Sequence, residues 1–136
     1  MLFDRFKKRS QSSVGKYGED LATAYLKKHH YKISARNYRN KHGTQLGEID
    51  IIAQKEDILV FVEVKTRTVS LSTIDRIRPE EQITAIKLRR LQKAATAYLH
   101  ENAIIDMPHR FDAISIRVFA GNERPPIIDH IQSIFL

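Results

Sequence analysis

Residues Leu46–Arg67 read LGEIDIIAQKEDILVFVEVKTR, and how this stretch pairs with itself decides the fold. Two Ile/Val-rich runs flank a polar break near Lys55-Glu56-Asp57, the pattern of a β-hairpin. In the first strand Glu48, Asp50 and Ile52 share one face, and Ile49, Ile51 and Ala53 the other. In the second, Leu59, Phe61, Glu63 and Lys65 share one face, and Val60, Val62 and Val64 the other. Apolar residues on both faces predict a sheet covered on both sides. A two- or four-residue loop places Asp50 opposite Phe61 or Glu63 and gathers Glu48, Asp50, Glu63 and Lys65 on one face at one end. An odd loop without a bulge would split them between faces.

Charged residues inside apolar strands are costly to bury unless paired or bound to a metal. Cross-strand salt bridges at a sheet end would add little stability and would be expensive to bury, so they account poorly for the cluster. A metal-dependent phosphodiesterase site accounts for it better. Mg²⁺ takes oxygen ligands, usually one or two carboxylates completed by water and substrate phosphate. Asp50 and Glu63 can supply the carboxylates and the Val64 carbonyl a further oxygen. Lys65 then stands beside the metal, where it can position the attacking water and stabilise developing charge. Glu48 can support these groups or hold a second ion.

Outward from the hairpin, residues 1–13 form a basic, aperiodic segment read as a flexible arm. Val14–His29 is expected to be a helix capped by Ser12 or Ser13, with Tyr17, Leu21, Ala24 and Tyr25 at helical spacing. Glu19 lies at the edge of that stripe; a first-turn glutamate favoured by the helix dipole explains it equally simply. Tyr31–Tyr38 fits an edge strand. Residues 66–78 lack a period and are expected to form a mobile loop over the site. Pro79–His100 is the strongest helical segment. Within it Lys87 falls on the apolar stripe, either packed by its stem with the ammonium in water or functional. Arg110–Phe119 is a strand with Asp112, Ile114, Ile116 and Val118 on one face, and Ile127–Leu136 is a last strand or short closing helix. Together these make a single α/β domain over 14–136, with a mixed central sheet of about five strands flanked by helices on both faces.

The 136-residue chain has no cysteine, so disulfides and thiolate-held metals are excluded. The N-terminal stretch carries charges where a signal peptide needs apolar residues, and the longest apolar run, Ile58–Val62, is far too short to span a bilayer. A cytoplasmic protein without membrane contact is expected. The net charge of +7 is uneven, because residues 1–45 hold eleven Lys/Arg against three Asp/Glu. Such a basic third suits a polyanion such as nucleic acid.

Gly47-Glu48-Ile49-Asp50 followed by Val60-Phe61-Val62-Glu63-Val64-Lys65-Thr66-Arg67 resembles the PD-(D/E)xK nuclease signature, with Ile49 where that signature has Pro. More narrowly, the chain resembles the YraN-type bacterial family, described as predicted endonucleases distantly similar to archaeal Holliday junction resolvases. Gly15-Lys16-Tyr17-Gly18-Glu19, Lys87 with Ala94-Ala95 and Tyr98-Leu99, and Arg110-Phe111-Asp112 extend the match over roughly residues 14–136. The resemblance implies a restriction-endonuclease-like fold, metal ligation by Asp50 and Glu63, a catalytic Lys65, and Glu19 as an additional acid near the metal.

The resulting expectation is an endonuclease dependent on Mg²⁺ (or Mn²⁺) that cuts DNA, branched or junction DNA included. Its phosphate contacts would come from Lys16, Arg36, Arg39, Arg67, Arg76, Arg78, Lys87, Arg89 and Arg90. A homodimer would suit two-strand cutting. The alternative is a nucleic-acid-binding or assembly module that does not cleave.

Overall fold

The computed structural model describes residues 10–40, 47–72, 84–122 and 124–134. The elements are α1 (Ser10–Lys28), β1 (Lys32–Arg39), β2 (Glu48–Lys55), β3 (Ile58–Val69), α2 (Ala85–Glu101), β4 (His109–Phe119) and β5 (Ile127–Ile131). They form one α/β domain whose mixed five-stranded sheet runs in the order β1-β2-β3-β4-β5.

Helix α1 starts at Ser10, so residues 10–13 belong to the helix rather than to an arm, and neither Ser12 nor Ser13 caps it. Once a helix has nucleated, adding a residue costs little, and a polar Ser-Gln-Ser-Ser run does not stop it. At its other end His30 adopts the left-handed conformation (φ 70), and the Tyr31 N–H donates to the Leu26 carbonyl at 2.9 Å. That is a Schellman closure, and it turns the chain straight into β1.

β2 and β3 form the hairpin with a two-residue turn, Glu56-Asp57, between the paired Lys55 and Ile58. Their ladder runs up to Ile51↔Val62 and stops, so one step further sets Asp50 opposite Glu63. β3 pairs in parallel with β4 from Leu59↔His109 to Val69↔Phe119. A parallel pair needs a crossover, which α2 supplies. β4 also holds residues 66–69 in the sheet, so the first four of the thirteen residues expected in the mobile loop are strand; residues 73–78 lie outside the described residues. Helix α2 begins at Ala85 behind the N-cap Thr84, whose hydroxyl accepts from the Lys87 N–H at 3.2 Å; Pro79 and residues 80–83 lie outside the described residues. β5 is a strand, antiparallel to β4, and not a closing helix.

Both sheet faces are covered, as the two-sided apolar pattern requires. Ala22 and Leu26 of α1 pack with Ile51, Ala53, Val60, Val62, Ile114 and Ile116. Leu88, Leu91, Ala94 and Ala95 of α2 pack with Ile49, Ile52, Leu59 and Phe61. Strict alternation assigns Ile49 to the first group; it sits in the second because β2 no longer follows β3 beyond Ile51. Phe61, fully buried, stacks on Phe111 with centroids 5.6 Å apart. A side chain so placed contributes about 3 kcal/mol by burial alone.

On the face turned to α1, Asp112 is fully buried yet completely partnered. It accepts from Arg110 Nε (3.0 Å), His130 Nε2 (2.8 Å) and the Ser133 N–H (2.9 Å). Arg110 continues to the Tyr31 hydroxyl at 2.8 Å, and His130 Nδ1 lies 3.2 Å from the Tyr25 hydroxyl. This network ties β4, β5 and the end of α1 together.

Candidate active site

The site is built where β2 and β3 part. Asp50 Oδ2 accepts from the Val64 N–H at 2.8 Å. In an extended strand the N–H and C=O of one residue point to the same side, so the Val64 carbonyl also faces the β2 side, past the end of the ladder. The Asp50 and Glu63 carboxyls lie close enough to titrate as a pair. Burial, and then the Glu63 charge, push the Asp50 carboxyl up to about 8. Burial also raises Glu63, against the opposing pull of Lys87 and Lys65.

Lys65 and Lys87 meet beside this pair. The two ammonium groups act on each other, and both are felt by Glu63. Burial, followed by Lys65, pushes the Lys87 ammonium down. Lys87 sits in the first turn of α2, where the helix dipole disfavours a cation. Snorkelling would carry the ammonium away from such a place. Lys87 therefore belongs to the acid–lysine cluster rather than to an outer phosphate grip.

Glu19 arrives from α1. Its approach depends on Gly18, which is buried against β3: a Cβ there would overlap the Thr66 hydroxyl. Glu19 is mostly buried, with 19% of its side chain exposed. Burial raises its pKa, partly offset by a hydrogen bond from Asn37 and by Arg36 at 3.8 Å. With its nitrogen facing the two acids, as their acceptor chemistry requires, the Asn37 amide lies 3.0 Å from Glu19 Oε2 and 3.0 Å from Glu48 Oε1. Arg39 holds the other Glu48 oxygen at 3.1 Å. Both Glu48 oxygens are thus engaged, one by Asn37 and one by Arg39.

Among the expected phosphate contacts that are described, Lys16, Arg36, Arg39, Arg67, Arg89 and Arg90 are exposed. Arg90 packs by its Cβ near Gly47, whose φ of 112 opens the turn into β2. Arg36 is tied to Asp20 at 2.8 Å and Arg39 to Glu48, so acids of α1 and β2 already neutralise these two expected phosphate contacts. Arg76 and Arg78 lie outside the described residues. Lys16, Glu19, Arg36, Asn37 and Gly15 line a groove of about 560 Å³ running beside Glu19.

Among the described residues no three carboxylate or imidazole groups stand ready as a closed cation cage. The donor set nevertheless fits Mg²⁺ or Mn²⁺. Two half-buried carboxylates raise each other's proton affinity and would be relieved by a cation, and Mg²⁺ ordinarily takes one or two carboxylates with water completing its shell.

Fold and site together define a single-domain α/β protein with a carboxylate–lysine cluster where the central hairpin opens. The chain belongs to the UPF0102 family, the YraN-type family its motifs resemble: the model described as "Uncharacterised protein family UPF0102" matches residues 18–116, a span that contains Glu19, Asp50, Glu63, Lys65 and Lys87. A UPF0102 protein of Bacteroides thetaiotaomicron is 44% identical over 124 residues, covering 91% of this chain and 93% of the relative. One of Geobacter metallireducens is 42% identical over 123 residues, covering 90% and 92%. One of Syntrophomonas wolfei is 39% identical over 122 residues, covering 90% and 96%. These names give the family and no activity. Among the described residues no helix is long and apolar enough to cross a membrane.

Proposed function

We propose that this protein is a metal-dependent endonuclease that hydrolyses phosphodiester bonds in DNA, branched or junction DNA included. The observation that carries the reading is the half-buried Asp50–Glu63 pair with Lys65 and Lys87 against it. The two acids together with the Val64 carbonyl would hold Mg²⁺ or Mn²⁺. The bound cation supplies Lewis-acid polarisation of the phosphate and a water acidic enough to attack near neutral pH.

The side chains do the rest. Asp50 and Glu63, ionised, would be two anionic oxygen donors on adjacent strands. Lys65 donates to the oxygen of the attacking water and fixes its side of approach. Lys87 donates to a non-bridging phosphate oxygen, and that bond strengthens as charge builds in the transition state. The exposed Lys16, Arg67, Arg89 and Arg90 contact flanking phosphates, which positions the strand without reading sequence. A two-fold dimer would present two such sites to opposite strands.

A cleavage panel of linear, nicked, flapped and four-way DNA, with RNA alongside, tests the reading. Wild-type protein should cut DNA with Mg²⁺ or Mn²⁺ and not with EDTA, and the Asp50→Ala and Lys65→Ala proteins should bind without cutting. Equal cleavage by all three would expose a contaminating nuclease. Binding without cleavage, together with no cation uptake that depends on Asp50 and Glu63, would establish the non-catalytic module instead.

A further inference from the structure

We infer that Asn37 is the positioning residue that sorts the two flanking glutamates, presenting Glu19 to the Asp50–Glu63 pair while holding Glu48 back as support. This rests on the cation-binding reading above and concerns how Glu19, the additional acid that the resemblance implies, is oriented there.

The backbone is the first observation. Asn37 lies in the left-handed region (φ 52) inside β1. Its neighbours keep the ladder, Arg36 with Ile51 and Tyr38 with Ile49, so Asn37 is level with Asp50. Strand residues do not ordinarily adopt this conformation, and among non-glycine residues Asn tolerates it best. Strain of this kind persists where the surroundings hold it, and it concentrates at functional sites.

The side chain is the second observation. A carboxamide nitrogen carries two hydrogens, and two carboxylate oxygens, Glu19 Oε2 and Glu48 Oε1, lie 3.0 Å from it. Donors and acceptors match one for one. Arg39 takes the remaining Glu48 oxygen at 3.1 Å. Among the described residues Glu19 Oε1 has no hydrogen-bond partner. Arg36 stays 3.8 Å from Glu19 because Asp20 holds it at 2.8 Å. The charge of Glu19 is felt at both Asp50 and Glu63.

A neutral donor has one consequence that an arginine or lysine at position 37 would not. It orients Glu19 through one oxygen while adding no positive charge of its own, so that Arg36 at 3.8 Å is the one cation paired with Glu19 among the described residues. Glu48, engaged at both oxygens and neutralised by Arg39, is removed from competition.

The test is calorimetric titration with Mn²⁺ of wild type, Asp50→Ala, Asn37→Gly, Glu19→Gln and the Asn37→Gly/Glu19→Gln double variant, with metal-free melting curves for each. Glycine accepts φ 52 without strain, so Asn37→Gly should melt close to wild type. Its Mn²⁺ affinity should fall about 10–100-fold, as for loss of a partner that orients a ligand. Glu19→Gln should lose a similar factor, and the double variant should lose no more than either single one. Wild-type affinity in Asn37→Gly overturns the inference, and so do drops that multiply in the double variant. Wild-type affinity in Glu19→Gln overturns it whether or not the glycine variant folds. If Asp50→Ala abolishes Mn²⁺ binding while Asn37→Gly leaves it intact, the inference alone fails. If wild type and Asp50→Ala behave alike, the cation-binding reading fails and takes the inference with it.

Discussion

Replacing Gly18 with alanine tests how α1 is set against the sheet. Two effects favour the substitution. Alanine is preferred over glycine inside a helix by about 1 kcal/mol, and one more buried methyl contributes about 0.8 kcal/mol. Against them stands the contact with β3. A Cβ at position 18 would overlap Thr66 Oγ1 and fall 2.8 Å from Thr66 Cβ and 3.0 Å from Cγ2. Rotating the threonine only exchanges its branches, and its Cβ is fixed to the strand, so no rotamer relieves the overlap. Either α1 or β3 must move by several tenths of an ångström in a fully packed layer. Overpacking of that kind costs about 1–3 kcal/mol when side chains can yield, and here the main chains must yield, so the upper end applies or is exceeded. The expected net loss is about 1–2 kcal/mol, a fall in Tm of about 3–8 °C for a chain of this size. Urea unfolding of wild type, Gly18→Ala, Thr66→Gly and the double variant measures it. Thr66→Gly removes all three crowded atoms, so the double variant should be more stable than the two single losses summed, by at least about 1 kcal/mol. Because Glu19 is the next residue, Gly18→Ala should also weaken Mn²⁺ binding, and Thr66→Gly should restore part of it. Stability of Gly18→Ala at or above wild type, or strict additivity in the cycle, would refute the reasoning.

Three further outcomes follow from the geometry. Asp112→Ala strands the Arg110 and His130 donors in the interior, and urea unfolding at pH 7 should show a loss of about 3–5 kcal/mol. Burial alone would raise the Asp112 carboxyl, but His130, the Ser133 N–H and Arg110 outweigh it and hold the pKa below its usual value. Its contribution is therefore present above about pH 4 and is lost as pH falls further, so the gap between wild type and variant should narrow when the measurement is repeated at pH 3. The Asp50–Glu63 pair has the opposite sign: its carboxyls titrate higher folded than unfolded, with Asp50 up to about 8. Metal-free protein in EDTA should lose stability as pH rises from about 4 to about 8, Asp50→Asn should flatten that slope, and Mg²⁺ should raise Tm more at pH 8 than at pH 5. Finally, Lys87→Met keeps the packed stem and removes the ammonium. Cleavage should fall about 100-fold or more while four-way DNA binding measured by anisotropy changes little, and an unchanged cleavage rate would return Lys87 to the role of a packed surface lysine.

The parts of the site that the sequence exposed are those that violate local rules. Asp50, Glu63 and Lys65 stand out because strands of Ile and Val do not ordinarily carry them, and the period of two then fixes which face they share. The two covered faces follow from the same pattern, whereas the pattern leaves the turn open between two and four residues and the pairing of Lys55 with Ile58 decides it. Where hydrogen bonding rather than side-chain pattern decides, the sequence is silent. Thr66–Val69 shows no period and yet is strand, because Ile116–Phe119 of β4 pair with it. Ile49 leaves its expected face because the β2–β3 ladder has already ended. The supporting residues are hidden for a further reason. Asn37 lies in a plain polar strand, Gly18 in an ordinary helix turn, and Arg36 and Arg39 look like free cations until Asp20 and Glu48 are folded against them. Each is locally unremarkable and becomes significant only when α1 and the edge strand close on the hairpin. A site whose chemical groups break local rules and whose positioning groups obey them will be found from sequence and left incomplete by it. Glu19 marks that boundary: its residue type admits a simple dipole explanation, and only the fold sets Gly18 against Thr66 and Asn37 against its carboxylate.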